Sequence, residues 1–230
     1  MIGIGNNMLM RKPSGYSRPT FIQSASSIVG TVFTITLTKP TSEPIEVGDL
    51  LIILVGNDST SSSPCWDNTT NKPSGFTLIQ AYSQGGSGFG AFWKIADGTE
   101  TSTIDVTSIN SGKTFGSYIH IKGANKTTPV PVAGVRRMYY NASVCYFYGY
   151  DGNADDLSML VGCFDGGDTT VAFQDYINWN TIFVLQSGAG ADDVIGYAQW
   201  GENTGIAPLN QTVTYSVEDN TNGVQFRIQK

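Results

Sequence analysis

From Phe21 onward, apolar positions recur at every second residue. In TVFTITLT (31–38), Phe33, Ile35 and Leu37 share one face and Val32, Thr34, Thr36 and Thr38 the other, the pattern of a half-buried strand. DLLIILVG (49–56) is an unbroken apolar run closed by turn residues, which predicts a strand buried on both faces. GFTLIQAY, GAFWKIA, STIDVTS and FGSYIHIKG predict further strands, each set off by Gly, Ser, Asn or Asp. In GAFWKIA, Phe92, Lys94 and Ala96 alternate with Ala91, Trp93 and Ile95, which makes Trp93 a core anchor, and the strand stops at the turn dipeptide Asp97-Gly98. Short strands at regular spacing predict an all-β sandwich or barrel.

The pattern repeats. A shift of 107 residues places Phe76 on Phe183, Leu78 on Leu185, Ala91 on Ala198, Trp93 on Trp200, Val106 on Val213, Ile119 on Phe226 and Ile121 on Ile228. A shift of 106 places Leu51 on Leu157, Leu54 on Leu160, Val55 on Val161 and Gly56 on Gly162. An ordered series across five strands predicts two equivalent halves, 20–123 and 131–230, joined by GANKTTPVP. They can form two sandwiches in tandem or one larger double sheet. The short joint and the lack of charged strand edges favour one jelly-roll-like β-sandwich over residues 20–230, with an internal pseudo-repeat.

Residues 1–19 differ from the rest. They hold Gly3, Gly5, Pro13, Gly15 and Pro19, which rule out a useful helix, and predict an extended N-terminal arm. Arg11, Lys12 and Arg18 give the arm +3 and leave −9 on the remainder, for a net charge of −6. Ile2, Ile4, Met8, Leu9 and Met10 are its apolar contacts. As a partner-binding arm it would fill grooves with these residues and meet an acidic surface with its cations.

Charged residues make up only 14% of the chain, so the surface is polar and neutral. An acidic balance without clustered Lys and Arg argues against nucleic acid. No apolar run approaches the length of a membrane helix, and the charges at the start follow the apolar stretch, the reverse of a secretory signal. Cys65, Cys145 and Cys163 contain no C-x-x-C pair and predict three free thiols, the state expected of a protein assembled in a cytoplasm.

Candidate chemistry is sparse. His120 is the single histidine, on the face of its strand shared with Tyr118 and Lys122, and reads as a surface residue. One histidine cannot supply a His-rich metal site, and no G-x-S-x-G elbow accompanies it. SGKT (111–114) ends like a phosphate loop, but Thr107 stands where the motif needs glycine, so it reads as a hairpin turn. DGNADD (151–156) starts like a calcium loop, then places Asp156 and Gly162 where Gly and Glu are required, and reads as a solvated loop. The acidic pairs Asp165 with Asp168, Asp192 with Asp193, and Glu218 with Asp219 lie in Gly- or Asn-rich turns and read as solvated charge. The expectation is therefore no enzyme, no catalytic or metal-binding residues and no cofactor. Tyr146, Tyr148 and Tyr150 alternate onto one strand face, either as a stripe that contacts a glycan or protein or as the rim of the core.

EVGDLLIILVGND, KPSGFTLIQ, AFWKIADGTET and YIHIKGAN, in that order, resemble a recurrent β-domain of bacteriophage virion proteins. The likeness covers about residues 45–125, and the second half only through the repeat. It implies a jelly-roll structural protein of a phage particle, a capsid decoration (cement) protein or a tail- or fibre-associated subunit. Its implied partners are other virion proteins and further copies of itself, as a dimer or trimer. The alternative is a receptor- or carbohydrate-binding module of a tail fibre, with a host surface glycan as partner.

Overall fold

The computed structural model describes residues 18–59, 65–67, 69–84, 86–130, 135–147, 155–166, 170–174, 179–187, 193–202 and 211–230, and among them every regular element is a strand. The first half contributes β1 (Thr20–Thr38), β2 (Leu50–Ser59), β3 (Thr77–Gln84), β4 (Gly86–Ile95) and β5 (Thr103–Lys122). The second contributes β6 (Val135–Phe147), β7 (Leu157–Asp165), β8 (Val171–Phe173), β9 (Trp179–Gln186), β10 (Val194–Glu202) and β11 (Gln211–Ile228). Each half makes one antiparallel sheet, ordered β1-β5-β2-β4-β3 and β6-β11-β7-β10-β9, with β8 added on β11. The two orders are the same under the repeat. The sheets stack face to face as a sandwich, with β2 on β7, β4 on β7 and β11, and β10 on β2 and β5. Exchanging the halves turns β4–β7 into β10–β2 and β4–β11 into β10–β5, the relation that a pseudo-two-fold axis between the central strands produces.

Three apolar clusters hold this arrangement. The core between the sheets takes Leu50, Ile52, Leu54, Phe89, Ile119 and Ile121 from one and Leu157, Met159, Val161, Val224, Phe226 and Ile228 from the other. The alternate residues Leu51, Ile53 and Val55 turn outward beneath Trp66, Phe76 and the Ile35–Leu37 end of β1. On the second sheet Leu160, Phe164, Tyr197 and Tyr215 are covered by Val171, Phe173 and Trp179. Each sheet is thus buried on both faces, which is why DLLIILVG shows no alternation.

The ladders define the repeat and correct its alignment. The pairs Leu50–Ile121 and Ile52–Trp93 return as Leu157–Ile228 and Met159–Trp200, an offset of 107 throughout β2, β4 and β5. The two tryptophans are equivalent, as the sequence predicts. Matching Leu51 to Leu157 is wrong by one residue. Leu51 faces outward and Leu157 inward, and a single slip in a strand exchanges its faces.

Phe76 and Phe183 are not counterparts either, since Phe76 lies in the outer cluster and Phe183 in the inner one. The ladders instead match Thr77–Trp93 to Asn180–Trp200, an offset of 103 for β3 and β9. Both strands bulge at the same place, Ile79 in one and Ile182 in the other, and both isoleucines pack on the central core. At the opposite edge Ile35–Val106 returns as Cys145–Val213, an offset of 110 for β1 and β6.

SGKT is not a hairpin turn. It lies inside β5, where the register jumps from Thr107–Thr34 to Gly112–Val32, so that residues 108–111 bulge out opposite Phe33. The second half repeats the excursion between Thr214–Val144 and Asp219–Ala142.

One side chain stitches the sheets together. The Phe115 ring lies against Gly56 of its own sheet and Gly196 of the other, and a Cβ at either glycine would overlap the ring. Gly196→Ala should therefore lower stability by about 1–3 kcal/mol through overpacking. Gly30→Ala, at an open position in β1, should not destabilise. Urea unfolding of the two variants measures the contrast.

Candidate functional site

The turn that ends β4 builds a polar cleft. Asp97 folds the turn by accepting hydrogen bonds through Oδ1 from the Thr99 amide at 2.9 Å and the Thr99 hydroxyl at 2.6 Å. Gly98 supplies the left-handed residue, at φ +88°. Glu100 reaches back to accept from the amides of Asp97 (2.9 Å) and Gly98 (3.0 Å). Lys94 Nζ then bridges both acids, 3.1 Å from Asp97 Oδ2 and 3.0 Å from Glu100 Oε1.

The electrostatics follow from these contacts. Thr99 and Lys94 hold Asp97 well below the usual carboxylate range. Burial would raise Glu100, but the Asp97 amide and the Lys94 ammonium outweigh it and keep the carboxyl below its ordinary value. Burial likewise opposes the charge on Lys94, and its bonds to Glu100 and Asp97 prevail and raise it.

Across from this turn, residues 73–76 form a second one, closed by Phe76 N–H to Pro73 O at 3.1 Å, with Gly75 at φ +79°. Between them is a cleft of about 390 Å³ lined by Ser74, Phe76, Lys94, Thr101, Ile104 and Tyr118, among others. Phe76 and Tyr118 meet edge to face at 6.2 Å. Burial, and then the Glu100 charge, push the Tyr118 phenol up to about 12.

His120 is not on the surface: it is fully buried. Its Nε2 lies 2.7 Å from Asp49 Oδ2 and its Nδ1 3.0 Å from Gln23 Nε2. Gln23 Nε2 can only donate, so Nδ1 accepts and the ring proton sits on Nε2, donated to Asp49. The Gln23 amide is fixed in turn: Nε2 also donates to Glu43 O at 2.7 Å, while Oε1 accepts from the Glu43 amide at 3.0 Å and from the Ser42 hydroxyl. The segment before β2 is thereby fastened over the histidine. In the second half, 107 residues on, Asp156 and Arg227 occupy the same two positions, with Arg227 Nε 3.3 Å from Asp156 Oδ2. An acid ahead of the central strand paired to a base on its neighbour is thus a repeated tie. The sequence signal for it was Asp49-Leu50 and Asp156-Leu157 at the repeat spacing.

Asp156 is therefore buried and paired, not solvated, while Asp155 pairs with Lys230 at 3.0 Å. Asp193 is also buried, joined to Lys113 of the opposite sheet and to the Ser187 hydroxyl at 2.8 Å. The three cysteines are free and buried, in different clusters: Cys65 outside the first sheet, Cys163 between the sheets and Cys145 outside the second.

Of the arm residues, Arg18 is described, and it pairs with Glu202 of β10 at 2.6 Å. Phe21 follows, stacked on Trp200 at 5.5 Å, so the start of β1 is seated on the second sheet. Ile2, Ile4, Met8, Leu9, Met10, Arg11 and Lys12 lie outside the described residues. Tyr146 is exposed on β6 between the buried Cys145 and Phe147, as the alternation predicts, and Tyr148 and Tyr150 lie outside the described residues. The sites expected from sequence and the Lys94–Tyr118 cleft do not meet.

The fold defines the class, an internally duplicated two-sheet β-sandwich. No protein-family model and no curated protein matches the chain. A solved structure of Melon necrotic spot virus is similar at 10% identity and a TM-score of 0.25, over 100% of this chain and 98% of that one. A likeness of that size carries no argument about fold or function.

Two outcomes test the polar ties. Asp49→Ala removes the acceptor of both His120 and the Glu46 amide (2.9 Å), and should cost about 1.5–3 kcal/mol in urea unfolding. The acid dependence has a definite sign: because folding lowers Glu100, its contribution is full above its ordinary value of 4.5 and is lost as pH falls through the lower folded value. Glu100→Gln should reduce stability at pH 7 and flatten the decline between pH 5 and 3, read by denaturant unfolding across that range.

Proposed function

We propose that the chain is a non-enzymatic structural protein of a bacteriophage virion, either a capsid decoration (cement) protein or an accessory tail or fibre subunit. It joins its neighbours through residues 1–19 and the sheet surfaces, as two or three copies, and is assembled in the host cytoplasm. One observation supports the reading: among the described residues, the histidine and three of the acids are spent on internal ties. His120, Asp49, Asp156 and Asp193 are buried in bonds that fasten strand to strand or sheet to sheet. A rigid duplicated scaffold with few charges and an appended arm suits a protein whose work is to bind other subunits. The order of the GDLL, PSGFTL, ADGTE and terminal-strand motifs supports the same reading.

The arm gains affinity by pairing with, or filling grooves on, the lattice it joins. Deletion of residues 1–17 keeps the Arg18–Glu202 contact and should leave the unfolding transition unchanged. The shortened chain should be missing from particles produced by the genome that encodes it, as read by electron microscopy of purified particles. Full incorporation would refute the role of the arm. A second reading, a receptor- or glycan-binding module, rests on the exposed Tyr146 ring and requires Tyr146→Ala to weaken binding on a glycan array.

A further inference from the structure

We propose that the cleft between the 73–76 and 97–101 turns is a binding site for one neutral sugar residue of a glycan, held by Lys94, Asp97 and the Tyr118 hydroxyl. The inference is independent of the arm and of the tyrosines on β6.

The Tyr118 hydroxyl points to a ligand. Its residue is 2% exposed and lines the cleft, and its hydroxyl bonds none of the described residues and is accessible from the cleft. A phenol presented in this way can both donate to and accept from a ligand hydroxyl. The neighbouring groups supply the rest of a polyol site. Lys94 has three N–H donors and gives two to Asp97 and Glu100, which leaves a third. Asp97 Oδ2 takes only Lys94, on a side chain 55% exposed, and keeps acceptor capacity. A donor beside an acceptor suits adjacent hydroxyls of a sugar ring, while Phe76, Ile104 and the Tyr118 ring offer apolar surface to its C–H groups.

Charge and size narrow the ligand. Two carboxylates against one ammonium leave the cleft at −1, which disfavours phosphates, uronates and other anions. A cation would have to approach the Lys94 ammonium. A neutral ligand meets neither penalty, and about 390 Å³ is room for a single sugar at the lower end of ordinary ligand sites. The walls are pre-formed by two hydrogen-bonded turns with glycines at positive φ, so little ordering accompanies binding. Hydrolysis is not implied: a glycosidase needs one carboxyl held protonated, and both acids here are held ionised.

Saturation-transfer NMR on the full chain with the methyl glycosides of glucose, galactose, mannose and N-acetylglucosamine, at millimolar concentrations, tests this. At least one glycoside should bind, and Tyr118→Phe, which removes only the hydroxyl, should weaken it roughly five- to tenfold. Lys94→Met should abolish it. A melting curve of Tyr118→Phe matching the parent shows that the loss is local. Absence of transfer from every glycoside, equal affinity in Tyr118→Phe, or binding of methylamine or inorganic phosphate in place of the sugars would overturn the proposal.

Discussion

The molecule depends on burying both faces of its two central strands. Leu50 to Val55 of β2 are wholly inaccessible, and so are nearly all of Leu157 to Phe164 of β7. A five-stranded sheet with two oily faces needs two covers. The sandwich supplies one by laying the halves on each other; connecting segments and bent strand ends supply the other. Each fully buried Leu, Ile, Val or Phe contributes about 1.5–3 kcal/mol, so the clusters bring the driving force and the polar contacts decide the register.

The polar contacts repeat in position while their chemistry diverges. A His–Asp hydrogen bond in one half is an Arg–Asp ion pair in the other, on the same rungs of the same ladder. The His120 tie recruits Gln23 and the 42–43 backbone and closes a loop over the strand. Around Asp156, the amide of Lys230 donates at 3.3 Å and takes that part instead. What was kept is the need to fasten the entry of the central strand; the means were free to vary.

Much of this architecture could be read from the residues. Alternation marked the Ile35–Leu37 end of β1 but not Phe33, which is 57% exposed at the register shift; the DLLIILVG run marked the doubly buried strand, and Asp97-Gly98 marked the turn that frames the cleft. The alignment of β2 with β7 slipped because Leu50 and Leu51 are the same residue, and only cross-strand partners decide which faces the core. SGKT read as a turn because Gly and Ser serve a wide bulge as well as a hairpin. His120 read as exposed because alternation assigns a face of the sheet without revealing that a distant segment covers it. The cleft was hidden for a related reason: Lys94 and Tyr118 come from β4 and β5, and that both flank β2 is not written in the sequence.

The Phe115 wedge has a bearing on how the two halves know each other. Its counterpart at the repeat offset is Asn222, which bonds Ser87 across the sandwich at 2.6 Å, while Gly196 and Val194 are the counterparts of Phe89 and Ser87. Two copies of the first half laid together would drive Phe115 into Phe89. Two copies of the second would strand the Asn222 amide against Val194. The halves share one fold, and at these positions they form a matched pair, each shaped to accept the other and to refuse its own twin.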